Sequence, residues 1–334
     1  MDLTYLSQSK IFAHLDRVED WIRKGNTKPV MIEIDPTNNC NYNCPECAGN
    51  KFSNSSLSLD FMKNVIDQVF LFVKGAVFTG GGEPLCNKDT IEVVKYAKIK
   101  GMDVGFITNG SLITKEVAKE LVENCVWIRV SIDADNSEDY NLIHGTEDLY
   151  EKVLENVGFL VNAKKDNFCT VGVGFLTNKD NFSKMVSFTN KMKNLNVDYV
   201  QFRPFHFDNF DVSNEIKDCK KLEDSNFKII VSQHKYDKVE YNFPEAFRDQ
   251  FTTVISADGK MYPCCFTRGM KDFELGDLNK ESFDDIWNSE RKRVVFKNKL
   301  KMENCPVICK YDKLSQILWE IKKVNEKGKH LSFV

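Results

Sequence analysis

The chain has 334 residues, 42% of them hydrophobic, and carries 46 Lys and Arg against 49 Asp and Glu, a formal net charge of −3. That content supplies a sizeable core and excludes intrinsic disorder, while charges of both signs, interspersed, leave no basic stripe for a nucleic-acid partner. The opening MDLTYLSQSKIFAHLDRVEDW lacks the features of a secretory signal, and no run of about 18 apolar residues is present, so a cytoplasmic location with no membrane partner is expected.

An amphipathic helix is predicted from Ile11 to Ile22, where Ile11, Leu15, Val18 and Ile22 recur at helical spacing. After Gly25 and Pro29, short β-branched runs alternate with longer helical segments, the pattern of parallel strands with crossover helices. Six strands are predicted: Val30–Ile34, Ala76–Thr79, Asp103–Thr108, Trp127–Ile132, Thr170–Leu176 and Tyr199–Arg203. Helices are expected near Asp60–Val73, Thr90–Ile99, Lys115–Glu123, Asp148–Val161 and Phe182–Leu195. The fold class is therefore α/β, a partial (β/α)6 TIM barrel two units short of the full eight. The chain divides into four segments: an N-terminal helical stretch (1–28), the partial barrel (29–210), a polar linker (211–250) and a small C-terminal domain (251–334). In the last, Asp258-Gly259-Lys260 reads as a hairpin turn between Thr253–Ser256 and Met261–Tyr262, followed by a helix that buries Phe283, Ile286 and Trp287.

The predicted strands are followed by TNNCNYNCPEC, TGGGEP, TNGS, SIDAD, TNKDN and RPF. In a parallel barrel these loops gather on one face, where chemistry is carried. Eleven cysteines in a large chain without a secretory signal read as metal ligands or reactive thiols rather than a disulfide scaffold. Cys40, Cys44 and Cys47 lie in one short loop, a spacing that wraps an iron–sulfur cluster. A zinc site is the alternative, although structural zinc asks for four closed ligands in paired short spacings. Cys86, Cys125, Cys169 and Cys219 are scattered, and such cysteines are ordinarily small buried apolar residues.

The three-cysteine loop after the first strand, with Gly80-Gly81-Gly82-Glu83-Pro84 after the second, resembles the radical S-adenosylmethionine (SAM) superfamily over roughly residues 30 to 205. The resemblance implies that Cys40, Cys44 and Cys47 hold a [4Fe-4S] cluster whose open iron chelates SAM, generating a 5′-deoxyadenosyl radical that abstracts hydrogen from a substrate. Gly81, Gly82 and Glu83 match the motif that receives the methionine amino group. Asn109, Ser131, Asp133 and Arg203 lie where relatives contact the cofactor, although strand-end caps and structural ion pairs would use the same residues. Two positions depart from the family pattern. Glu46 replaces a common aromatic before the third cysteine, and Ile143-His144-Gly145 stands where many relatives carry Arg-Gly; His144 reads as a structural residue. An external electron donor such as flavodoxin or ferredoxin is also implied.

Gly259-x4-Cys264, a downstream Leu-Gly-Asp-Leu and Cys305-x3-Cys309 resemble the auxiliary-cluster extensions of the twitch and SPASM types. A further cysteine usual before the glycine is absent, so one auxiliary [4Fe-4S] cluster is expected, with Cys264, Cys305 and Cys309 as ligands; a zinc knuckle is the alternative. Neighbouring side chains on an extended strand point to opposite faces. Cys265 is therefore expected to face away from that cluster, either as a buried apolar residue or as a thiol that donates hydrogen to a substrate radical. The implied activity is oxidation or epimerisation of a small molecule such as a sugar or aminosugar. A peptide-modifying maturase is the runner-up, and a non-enzymatic electron carrier or zinc-bound interaction module is the reading from another class.

Overall fold

The computed structural model describes residues 8–47, 53–164, 169–205, 211–232, 236, 243–298, 300–301 and 312–327. Its ten strands are β1 (Met31–Ile34), β2 (Gly75–Phe78), β3 (Asp103–Thr108), β4 (Trp127–Ser131), β5 (Thr170–Thr177), β6 (Tyr199–Pro204), β7 (Lys228–Val231), β8 (Thr252–Ile255), β9 (Lys260–Tyr262) and β10 (Gly276–Asp277). They form one sheet in the order β10-β9-β8-β1-β2-β3-β4-β5-β6-β7. From β8 through β1 to β7 every pairing is parallel, while β9 and β10 continue the edge antiparallel.

All six expected barrel strands are present within two residues of their predicted ends. Two differences lie beyond the sixth. Residues 211–250, expected as a linker, contain a helix (Ser213–Lys220) and β7, a further parallel strand against β6. The apolar run of β7 is only Ile229-Ile230-Val231, flanked by polar residues, too short to stand out from sequence. The C-terminal hairpin is also continuous with the barrel: β8 lies beside β1 in parallel register, Glu33 opposite Val254. Periodicity reports that a strand exists, not which neighbour it takes.

The helices cover one face of the sheet. Ser58 and Thr114 cap the helices Leu59–Val69 and Lys115–Asn124 by accepting from Phe61 N and Val117 N, the role their hydroxyls serve at N-termini. Ile32, Ile34, Ala76, Phe78, Val104, Phe106, Ile128, Val130, Val171, Val173 and Phe175 are all buried on the helix-facing side, each two residues from the next within its strand, as strand alternation requires. The helix predicted over Asp148–Val161 is observed as Tyr150–Ala163, preceded by Ser137–His144. The opening segment is a 3-10 turn (Gln8–His14) leading into an α-helix (Leu15–Lys24) that ends at left-handed Gly25. Phe283, Ile286 and Trp287 are core residues of a short C-terminal helix.

Candidate active site at the strand-end rim

Parallel strands deliver their C-terminal ends to one edge, and this brings Cys40, Cys44 and Cys47 (after β1), Gly81, Gly82 and Glu83 (after β2), Asn109 (after β3), Ser131 and Asp133 (at the end of β4) and Arg203 (near the end of β6) to the same rim. The cysteine loop is clamped onto the glycine loop. Gly82 N donates to Thr37 O at 3.1 Å and Glu83 N to Asn39 O at 2.9 Å. A Cβ on Gly82 would overlap the Asn39 carbonyl, so only glycine permits this approach. A second clamp comes from Gly145, which ends the Ser137–His144 helix at φ +58; a Cβ there would overlap Asn43 O.

Glu83 fastens three strand ends. Its Oε1 accepts from Thr108 Oγ1 at 2.7 Å and Leu85 N at 3.1 Å, and its Oε2 from Asn109 N at 2.7 Å. The carboxyl is 2% exposed, and burial pushes its pKa up against the lowering effect of those donors. A carboxylate has about four lone-pair sites, so one remains on Oε2. Asn109 closes a ring with the cysteine loop. Its Nδ2 donates to Asn41 Oδ1 (3.0 Å), Asn41 Nδ2 to Ser111 Oγ (2.8 Å), and Ser111 Oγ back to Asn109 Oδ1 (2.8 Å). Neither Asn41 nor Ser111 is visible as a site residue in sequence, because nothing in spacing reports a contact 70 residues away.

His144 is buried. Its Nε2 donates to Ile132 O at 2.8 Å, Nδ1 lies 3.6 Å from Cys44 Sγ, and Asp133 Oδ2 is 3.8 Å from Nε2. Asp133 holds a left-handed backbone (φ +58) and accepts from Leu176 N at 2.6 Å; burial pushes its pKa up. Tyr42, between the first two cysteines, shares a 2.9 Å hydroxyl contact with Tyr140.

The donor set fits a cluster. None of the three cysteines is in a disulfide; Cys40 and Cys47 are exposed and Cys44 is half-buried. Burial, then Cys47, Cys40 and Asp133, push Cys44 up to about 12, so this thiol gives up its proton on binding metal. Among the described residues no three His, Cys, Asp or Glu side chains converge to hold a single metal ion. A cluster takes one thiolate per iron and needs no such convergence.

Cys264 follows β9 in extended backbone, and Cys265 opens the 3-10 turn Cys265–Thr267. Both residues are half-buried and neither is in a disulfide. Cys305 and Cys309 lie outside the described residues. Arg268, just beyond the turn, reaches the base of the cysteine loop: its Nε is 2.8 Å from Asp35 Oδ2 and its Nη2 3.7 Å from Glu33 Oε2. Cys265 is near enough to Arg203 and to Arg268 to interact electrostatically with both.

Residues 34–189 match the radical SAM superfamily and residues 247–310 the iron–sulfur cluster-binding domain of SPASM type. The chain is a radical SAM enzyme with a C-terminal SPASM domain. Radical SAM domains bind a [4Fe-4S] cluster with SAM, and SPASM domains bind auxiliary iron–sulfur clusters. An AdoMet-dependent heme synthase of Methanosarcina barkeri is 25% identical over 321 residues, 86% of this chain and 90% of that protein. Mycofactocin maturase MftC of Mycolicibacterium smegmatis is 32% identical over 146 residues, 42% of this chain and 37% of that protein. Streptococcus suis SuiB, in a crystal structure with its precursor peptide SuiA, has the same fold, with TM-score 0.67 at 12% identity over 91% of this chain and 77% of SuiB. No helix among the described residues is long and apolar enough to cross a membrane.

Proposed function

We propose that this radical SAM enzyme abstracts hydrogen from an unactivated C–H bond of a small molecule, with one auxiliary cluster beside the substrate. The observation that supports it most is the clamp between the cysteine loop and the glycine loop, which brings three cysteines and the Glu83 carboxylate to one rim. When bound, the cluster and SAM supply the radical chemistry. The chain's own residues bind and orient. Cys40, Cys44 and Cys47 hold the cluster, while Gly81, Gly82 and the remaining Oε2 site of Glu83 receive the amino group of SAM. Asn109, Ser131, Asp133 and Arg203 surround the rest of that cofactor. Cys264, with Cys305 and Cys309, holds the auxiliary cluster.

The small-molecule reading draws support from the heme synthase, a relative this chain matches over nearly its full length. The match to a maturase and the fold shared with a peptide-bound enzyme favour the second reading, modification of a peptide. Within either, Cys265 is the candidate hydrogen donor for epimerisation, and oxidation through the auxiliary cluster is the outcome without it. In deuterated water Cys265→Ala should lose the solvent deuterium that the wild-type product carries at an inverted carbon; unchanged product would remove the donor role.

The function is tested by anaerobic reconstitution, iron analysis and 5′-deoxyadenosine assay under dithionite. The wild type is expected to hold about eight irons and to cleave SAM. Replacing Cys40, Cys44 and Cys47 with Ala together should abolish cleavage while about half the iron remains. Cleavage that survives in the triple variant would refute the assignment.

A further inference from the structure

The concave face of the sheet carries charge that the rim does not account for. Phe175 and Phe202 pack on Phe188 of the helix Met185–Asn194, with ring centroids 4.8 and 6.5 Å apart, and so mark the helix-covered face of β5 and β6. Alternation then puts Gly172, Gly174, Gln201 and Arg203 on the inner face, with Arg129, which is opposite Gly172 in register. Arg129 lies across β5: its Nη1 donates to Gln201 Oε1 at 2.6 Å, and a Cβ on Gly174 would sit 3.5 Å from its Cδ. A Cβ on Gly172 would overlap the Tyr199 ring. The two glycines clear the middle of the inner wall for an arginine and a tyrosine.

Among the described residues no carboxylate forms an ion pair with this wall, and Asp133 acts on both arginines only at longer range. Among the described residues neither Arg129 nor Arg203 has an ion pair, and the Nε of each is buried without a hydrogen-bond partner. Asp133, the carboxylate that acts on Arg203, is already engaged by Leu176 N and His144. Burial, and then Arg129, hold Arg203 down to about 10. Across the barrel, by contrast, Arg268 has both Asp35 and Glu33. Sequestering a guanidinium without a counter-ion is costly. Each one offers five N–H donors in a planar fork matched to a carboxylate, and toward the described residues Arg129 spends one of them on Gln201.

We propose that Arg129 forms a seat for a carboxylate-bearing substrate inside the barrel, with Arg203 between it and the rim. The proposal rests on the rim being the place of the radical chemistry. SAM brings a carboxylate of its own, the same chemistry from a second source. Arg203, opposite Leu176 and nearer the rim, suits the cofactor, and Arg129, at the level of Gly172, the substrate.

The test is calorimetric titration of the reconstituted holoenzyme with glutarate, alone and saturated with SAM, with neutral glutaramide as control. Glutarate should bind in both states and glutaramide in neither. Arg129→Met, which keeps the stem over Gly174, should weaken glutarate binding about ten- to hundredfold. The same variant should raise the thermal midpoint by about 2 °C, since an unneutralised charge is removed. Loss of glutarate binding under saturating SAM would give the seat to the cofactor and overturn the proposal. So would a wild type that binds no glutarate, an unchanged affinity in Arg129→Met, or a lowered midpoint, the mark of a structural arginine. Reductive SAM cleavage by the wild type is measured alongside. Its absence would overturn the radical reading of the rim while the glutarate result still decides whether the wall binds anions.

Discussion

The two cysteine-bearing regions stand on one sheet and are fastened to it differently. The loop of Cys40, Cys44 and Cys47 is held from several sides: by Gly82 and Glu83 after β2, by Asn109 and Ser111 after β3, and by Gly145 after the helix beyond β4. Cys264 and Cys265 sit in a tight turn that fastens to itself, Thr267 Oγ1 donating to Cys264 O at 2.8 Å. Beyond the strand ladder from β9 through β8 to β1, they are tied to the barrel by Arg268, set against Asp35 and Glu33. The first geometry is a property of the whole rim. The second is a local turn secured by a buried charge contact. Damage to one should spread across the cofactor site, and damage to the other should stay local to the turn and its contact with the cysteine loop.

The largest expected effect breaks the first kind of fastening. Gly82→Ala drives a methyl into the Asn39 carbonyl, and backbone on both sides leaves no flexible side chain to give way. The cysteine loop must shift by a substantial fraction of an ångström or more. Misplacement on the order of 1 Å costs catalysis about a hundredfold, so SAM cleavage should fall at least that far. Iron analysis should show the rim cluster depleted and the auxiliary iron retained. Cleavage within threefold of wild type would show that the clamp is not what positions the thiols.

That these loops share one rim was legible in the sequence, and the reason is physical. Cys40, Cys44, Cys47 and the glycines act through residue type at short spacing, and the strands before them announce themselves by apolar alternation. The features that stayed hidden act through distant pairing. Asn41 with Ser111, Gly145 against Asn43, and Arg129 across Gly174 to Gln201 are meetings that only the sheet order creates. The same holds for β8. Its hairpin turn was readable from Asp258-Gly259-Lys260, but its place beside β1 was not, and that place is what brings Arg268 to the cysteine loop.

A smaller effect is expected at that tie. Asp35 is fully buried, and its contact with Arg268 is a 2.8 Å approach of opposite charges. Asp35→Asn leaves the guanidinium with Glu33 alone, at 3.7 Å. Breaking a buried pair from one side costs about 3–5 kcal/mol, and denaturant unfolding of the holoenzyme should register a loss in that range. If stability drops by less than about 1 kcal/mol, the figure for an exposed pair, Arg268 is not the tie and the hairpin ladder to β1 alone secures the C-terminal region.

The smallest effect concerns the far side of the C-terminal region, at Lys292. This lysine is 4% exposed; its Nζ donates to Asn26 Oδ1 at 2.6 Å and lies 3.8 Å from the centroid of the Trp287 ring. No carboxylate pairs with it among the described residues. Burial, with Lys28 and Arg293 nearby, lowers its amine to about 7 from an ordinary 10.5. The folded value lies below the unfolded one, so between them the unfolded chain holds the extra proton, and stability rises with pH across that interval. The slope of one such group is at most about 1.4 kcal/mol per pH unit. Holoenzyme unfolded at pH 7.5, 8.5 and 9.5 should therefore gain stability at each step, and Lys292→Met should flatten the profile. The ring contact works the other way, since a cation over an aromatic face is favoured by about 0.5–2 kcal/mol. A profile already flat in the wild type would show that Trp287 and Asn26 keep the amine charged. The C-terminal helices would then be held to the N-terminal segment by a buried cation, the same kind of fastening that Arg268 provides at the rim.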